Sequence, residues 1–184
     1  INKNTPGNVI TWNENGGFNG TLDGRGHYIS GMTMGAMPGF FGCVNKNSVI
    51  KDIAFINASM HTSGGAFITQ TGGGTMKNVY VQLNKLEYNA KNDGCGVFWG
   101  SASGPSATLI NCFVDAKAVA DGAKTDTTRG IIGWLDANAT ITDCFAITQG
   151  ANLVSAGVNV SSVKAYADRA SMIGASDWQA VFAT

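Results

Sequence analysis

TLINCFVDA at residues 108–116 and TITDCFAIT at residues 140–148 are two copies of one phrase. In register they set Leu109 over Ile141, Asn111 over Asp143, Cys112 over Cys144 and Phe113 over Phe145. Looser copies lie upstream: YISGMTMGA from Tyr28, VIKDIAFIN from Val49 and TMKNVYVQL from Thr75. Keyed on its first apolar residue, the phrase recurs at Ile29, Ile50, Met76, Leu109 and Ile141. Three positions on stand Met32, Ile53, Val79, Cys112 and Cys144; two beyond those stand Met34, Phe55, Val81, Val114 and Ala146. All of these are apolar or Cys, so they read as inward-facing columns.

Between the first and second columns sits a turn-forming residue in every copy: Gly31, Asp52, Asn78, Asn111 and Asp143. A strand alternates its faces with period 2, and a Gly/Asn/Asp column that breaks this alternation marks a corner between two short strands. Stacked copies of such a corner suit a ladder of side-chain amides and carboxylates. A second phrase precedes the first: Gly39, Gly65, Gly96 and Gly130 open GFFG, GAFI, GVFW and GIIG at a nearly fixed distance from the key residue. The turn-rich SASGPS lengthens one copy as a two-residue bulge. Two apolar columns repeating every 20 to 35 residues or so describe the coils of a solenoid. Strand periodicity without amphipathic helix periodicity makes it all-β, a parallel β-helix of about five to six coils.

The stretch FNGTLDGRGHYISGM, followed by GFFG and VIKDIAFINASM, resembles the GLUG-motif right-handed parallel β-helices of bacterial cell-surface proteins. The resemblance spans residues 17–150; GFFG and GIIG match its glycine phrase, whereas GAFI and GVFW depart at the last position. It implies a right-handed coil and an extracellular, cell-envelope setting. It carries no catalytic residues to transfer.

Bulk properties narrow the function. The chain has 184 residues, enough for one full core, with only 13% charged and 25 glycines. Twelve basic residues balance twelve acidic ones, so no field steers the chain to nucleic acid or an anionic membrane. No apolar run is long enough to span a bilayer. The opening on Ile reads as a processed or excised piece. The four cysteines contain no CxxC and no nearby His, so no metal site and no cofactor is expected. Cys112 and Cys144 share a repeat position; buried thiols are the favoured reading, with a disulfide across neighbouring rungs as the alternative.

Along the chain, residues 1–17 read as an N-terminal cap or irregular first coil, and residues 18–166 as the β-helix. Residues 167–184 read as a C-terminal helix or tail that could lead to another domain. The excursions NASMHTSG, LNKLEYNAKNDGC and DAKAVADGAKTDTTR fall on a third side. They are either a binding edge or solvated loops.

Between the second and third inward columns, one outward residue per coil forms the series Thr33, Ala54, Tyr80, Phe113, Phe145. With rungs about 4.8 Å apart the last three make a continuous aromatic ladder. Bare, it is a liability, so it calls for cover by the C-terminal tail, an excursion, a partner subunit or a sugar, in that order. Trp99 and Trp134 close their glycine phrases and are candidate sugar platforms, with core or corner packing the favoured alternative. Tyr88 is a lone candidate of the same kind. No catalytic residue is assigned: Asp52 and Asp143 occupy corners, and Asp23 sits in a turn. Arg25, Arg129 and Arg169 lack an assembled acidic pair, and His27 and His61 are too separated for a nucleophilic or metal site. GGG at residues 72–74 lacks the Lys and Ser/Thr of a phosphate loop.

The expected function is a noncatalytic extracellular binding, adhesion or spacer module that engages a carbohydrate or protein partner. A structural part of a virus particle that homo-oligomerises along the aromatic column is the alternative, and a carbohydrate-active enzyme fragment is the third reading.

Overall fold

The computed structural model describes residues 17–35, 39–62, 66–88, 96–116, 129–135, 140–148, 152–154 and 163–176. In chain order the strands are β1 (Thr21–Asp23), β2 (Tyr28–Ser30), β3 (Thr33–Met34), β4 (Phe41–Val44), β5 (Val49–Thr62), β6 (Thr69–Tyr88) and β7 (Trp99–Ile110). They continue with β8 (Phe113–Ala116), β9 (Arg129–Leu135), β10 (Thr140–Thr142), β11 (Cys144–Thr148), β12 (Asn152–Val154) and β13 (Val163–Tyr166). One short helix, α1 (Arg169–Ile173), follows. The described strands join one sheet, and every pairing among them is parallel.

The pairings build four rows. One runs β4, β6, β7, β9, β12; a second runs β1, β5, β6, β7, β10. A third runs β2, β5, β6, β8, β11, β13, and a shorter fourth joins β3, β5 and β6. Successive turns of chain therefore lie level upon level, and β6 contributes to all four rows.

The apolar columns face the core from the second level onward. Ile50, Met76, Leu109 and Ile141 are buried, as are Ile53, Val79, Cys112 and Cys144, and Phe55, Val81, Val114 and Ala146. Each large side chain so buried contributes about 1.5–3 kcal/mol, which is what fixes register in a half-buried strand. The corner residues Asp52, Asn78, Asn111 and Asp143 all have φ between 49° and 53°. Short polar side chains that bond locally tolerate this left-handed conformation best among non-glycine residues. Asn78 Nδ2 donates to Asp52 Oδ1 at 2.6 Å, and Asn111 Nδ2 donates to Asn78 Oδ1 at 3.4 Å. The corner column is thus a ladder with a carboxylate at its upper end. Gly72 and Gly74 explain the glycine run: their φ values are +119° and +86°, and a Cβ on Gly72 would run into the Val44 carbonyl oxygen.

Four expectations need correcting. The first level pairs Leu22 with Ile50, Tyr28 with Ala54, Ile29 with Phe55 and Thr33 with Ser59. Ile29 is therefore not the counterpart of Ile50, nor Thr33 of Ala54. The cause is the turn at Gly24–His27, where four residues stand opposite Asp52 and Ile53, with His27 N donating to Gly24 O at 2.8 Å. The glycine phrases are also offset: Phe41 pairs with Thr69, Thr69 with Trp99 and Trp99 with Ile132, so among the described residues Gly96 does not stand opposite Gly130. SASGPS is longer than a two-residue bulge, because Gly72 and Gly74 pair with Ala102 and Ala107. Finally, residues 57–62 and 83–88 are not loops. They carry the fourth row, with Ala58, Met60 and Leu83 buried.

The proposed cap at residues 1–17 lies outside the described residues except Gly17, and so does the end of the C-terminal tail. Helix α1 falls within residues 167–184, the stretch read as a C-terminal helix or tail. Its N-cap Asp168 accepts from Ser171 N at 2.7 Å, which holds the Asp168 carboxyl below its ordinary value.

Candidate functional site

The outward column is real, and its members stand in the order Tyr28, Ala54, Tyr80, Phe113, Phe145. Tyr80 and Phe113 stack with ring centroids 5.0 Å apart and planes 6° from parallel, the spacing of adjacent rungs. Phe145 continues the column and lies 6.4 Å from the Tyr166 ring.

Most of this column is covered from within the chain. Phe145 and Ile147 form a buried cluster with Met172 of α1, against which Phe113 and Tyr166 pack. Beside it, Arg169 Nε donates to Asp115 Oδ2 at 2.8 Å, and Arg169 Nη2 donates to the Tyr80 hydroxyl at 3.0 Å. Asp115 is only 4% exposed, so the guanidinium compensates a buried charge while its own outer side meets solvent. Burial raises the Tyr80 phenol above its ordinary value, with Asp115 adding to the shift and Arg169 opposing it.

Cover stops at Tyr80. One of its faces lies on Phe113, and the register puts Ala54 on the side of the other, where a ring is missing from the column. A groove of 610 Å³ opens there. Asp23, Arg25, Gly26 and His27 line it from the first level, Asp52, Ile53 and Ala54 from the second, and Asn78 and Tyr80 from the third. Above Ala54, Tyr28 is 65% exposed.

The polar wall of the groove is already ordered. Lys51 Nζ lies 3.0 Å from Asp23 Oδ2 and 3.6 Å from Asp52 Oδ2. Asp23 Oδ1 accepts from Arg25 N at 3.0 Å, and Arg25 itself has φ 50°. The Lys51 ammonium, the Arg25 amide and these charges hold the Asp23 carboxyl below its usual range, and Asp23 in turn raises Lys51. Lys51 and Arg25 match the two carboxylates of Asp23 and Asp52 in formal charge. No group of three or more His, Cys, Asp or Glu among the described residues is placed to hold a metal ion.

Of the six residues singled out from the sequence, the structure brings Tyr80, Phe113 and Phe145 together, and of these three Tyr80 lines the groove. Trp99 is fully buried in the core, so packing explains it and it cannot act as a surface platform. Its Nε1 has no partner among the described residues. Trp134 pairs through its backbone with Ser101, and Tyr88 with Thr62. The side chains of both lie outside the described residues. Sequence reasoning missed the grouping of Asp23, Arg25, His27, Asp52 and Asn78. The signal was a small residue, Ala54, in a column of rings, and it could be read only once Tyr28 stood in the right level.

Cys112 and Cys144 are free, buried thiols at adjacent levels. Cys112 Sγ lies 3.4 Å from the carbonyl oxygens of both Met76 and Ile110, either of which can accept its single proton, and burial together with Cys144 drives its pKa well above the ordinary value. Among the described residues no helix is long and apolar enough to cross a membrane. Compared with protein-family models, curated proteins and solved structures, the chain matches none.

Proposed function

We propose that this chain is a noncatalytic binding module built on a right-handed parallel β-helix and displayed outside the cell, akin to the GLUG-motif surface proteins its sequence resembles. The right hand is the one the resemblance implies and the one that parallel strands joined by crossovers adopt in nearly all proteins. The six levels of paired strands correspond to the five to six coils expected from the repeat. The observation that carries the binding role is the break in the outward column at Ala54, which opens a polar groove on a rigid wall. Sites built on strands hold their geometry better than sites on loops.

A noncatalytic reading suits the groove's carboxylates. Asp23 and Asp52 share one lysine, and Asp52 also anchors the corner ladder. A general acid needs a raised pKa, whereas Asp23 is held down. The alternative of a virus-particle component uses the aromatic column as an intersubunit seam. Helix α1 covers Phe145 in that column, which leaves less of it for a partner chain.

The test is saturable binding of the purified chain to isolated cell-envelope polysaccharide and to intact cells, with release of reducing ends followed in parallel. Saturable binding without release supports the reading. Release of reducing ends, or no binding with assembly into trimers by light scattering, overturns it.

A further inference from the structure

The geometry points to the groove over Ala54 as the seat of one neutral pyranose unit, stacked on the open face of Tyr80 with its hydroxyls turned to Asp23, Asp52 and Asn78. This rests on the binding-module reading above and names its ligand class and its site.

Spacing supplies the first argument. Rungs lie about 4.8 Å apart, and the rung next to Tyr80 carries only the Ala54 methyl in this column. The Tyr80–Phe113 pair shows that one ring per rung fills this column at contact distance, 5.0 Å. Ala54 therefore leaves the volume of one six-membered ring unfilled, with a methyl floor and an aromatic wall.

Preorganisation supplies the second. Tyr80 is clamped on its far face by Phe113 and at its hydroxyl by Arg169, so a ring landing on it freezes no further side-chain freedom. The wall opposite is likewise fixed before any ligand arrives, through the Asp23 turn and the Asn78–Asp52 bond.

Charge and hydrogen bonding decide the class. A carboxylate accepts at about four lone-pair sites, and one Lys51 contact plus one amide leaves Asp23 and Asp52 with acceptor capacity. That rim suits an edge rich in O–H donors. A nucleobase edge offers few donors. A uronate or sulfate would face two carboxylates, and an organic cation would face Lys51 and Arg25. A neutral sugar meets neither penalty, and its C–H face matches the tyrosine ring.

The experiment uses the whole chain and isothermal titration with cellotetraose, mannotetraose and chitotetraose, with tetragalacturonic acid as the charged comparator. The key variant is Ala54→Tyr, which completes the stack and should fold at least as stably as the parent; Asp52→Asn tests the rim while keeping a side chain that tolerates the corner. Binding of at least one neutral tetramer, weakened about tenfold or more by Ala54→Tyr, supports the inference. Neutral-sugar binding that Ala54→Tyr leaves unchanged overturns it, although the module reading survives. Preference for tetragalacturonic acid, or no binding by any tetramer, overturns it as well. A concentration-dependent dimer abolished by Ala54→Tyr, without sugar binding, would assign the slot to a second copy instead.

Discussion

Arg169 and Asp115 meet at 2.8 Å although 54 positions separate them, and this contact fastens the C-terminal helix to the aromatic column. Arg169→Ala leaves a carboxylate that is 4% exposed without its counter-charge. The expected loss is about 1–3 kcal/mol, at the lower end because the guanidinium faces solvent. Arg169→Ala combined with Asp115→Asn should recover part of that loss. Urea unfolding of the single and double variants measures it; equal stability of parent and Arg169→Ala would count against the clasp.

The corner ladder separates backbone strain from hydrogen bonding. Asn111 has φ 51° and donates to Asn78. Asn111→Ala loses the bond and places a Cβ-bearing residue without local polar compensation in the left-handed region, at about 1–2 kcal/mol. Asn111→Gly loses the bond but relieves the backbone, so it should cost less than Asn111→Ala. Denaturant midpoints decide the order, and glycine proving the worse substitution would contradict the account.

Tyr80 predicts an alkaline limit. Its folded pKa is raised, chiefly by burial. The neutral phenol therefore contributes stability that is fully present below the unfolded value of about 10 and is lost as pH rises through the folded value. Tyr80→Phe should remove this dependence, and the difference in tyrosinate absorbance between parent and variant should show a late-titrating phenol. A difference curve centred at or below the ordinary tyrosine value would refute it.

Cys112 and Cys144 should behave as inert thiols. Burial raises Cys112, and the thiolate is the reactive form. Native protein treated with an alkylating agent at mildly alkaline pH should leave both unmodified by peptide mapping, and both should label fully in denaturant. A Cys112–Cys144 disulfide peptide, or rapid native labelling of either residue, would be the contrary outcome.

How much was legible follows from where the repeat is strong. From Ile50 onward, three apolar columns and an Asn/Asp corner coincide, and both burial and positive φ follow them. The first level misled because its true copy, TLDGRGHYI, replaces the second apolar column with Gly24 and carries a longer turn. The apolar triplet Ile29, Met32, Met34 then offered a false register. The fourth row was hidden by polarity, since NASMHT reads as loop although its alternate residues Ala58 and Met60 point inward. The groove depended on the corrected first level. No local pattern announces a missing ring, which becomes visible only when Tyr28, Ala54 and Tyr80 are stacked.

The stacking register is the claim on which the rest depends, and paired cysteines test it directly. Lys51 and Lys77 face each other across adjacent levels. Their expected separation, about 4.8 Å, suits a disulfide. In a background with Cys43 and Cys95 changed to Ser, Lys51→Cys with Lys77→Cys should close an intramolecular disulfide under mild oxidation. Lys51→Cys with Lys85→Cys, eight positions out of register, should not. Cross-linking of the second pair but not the first would contradict the stack.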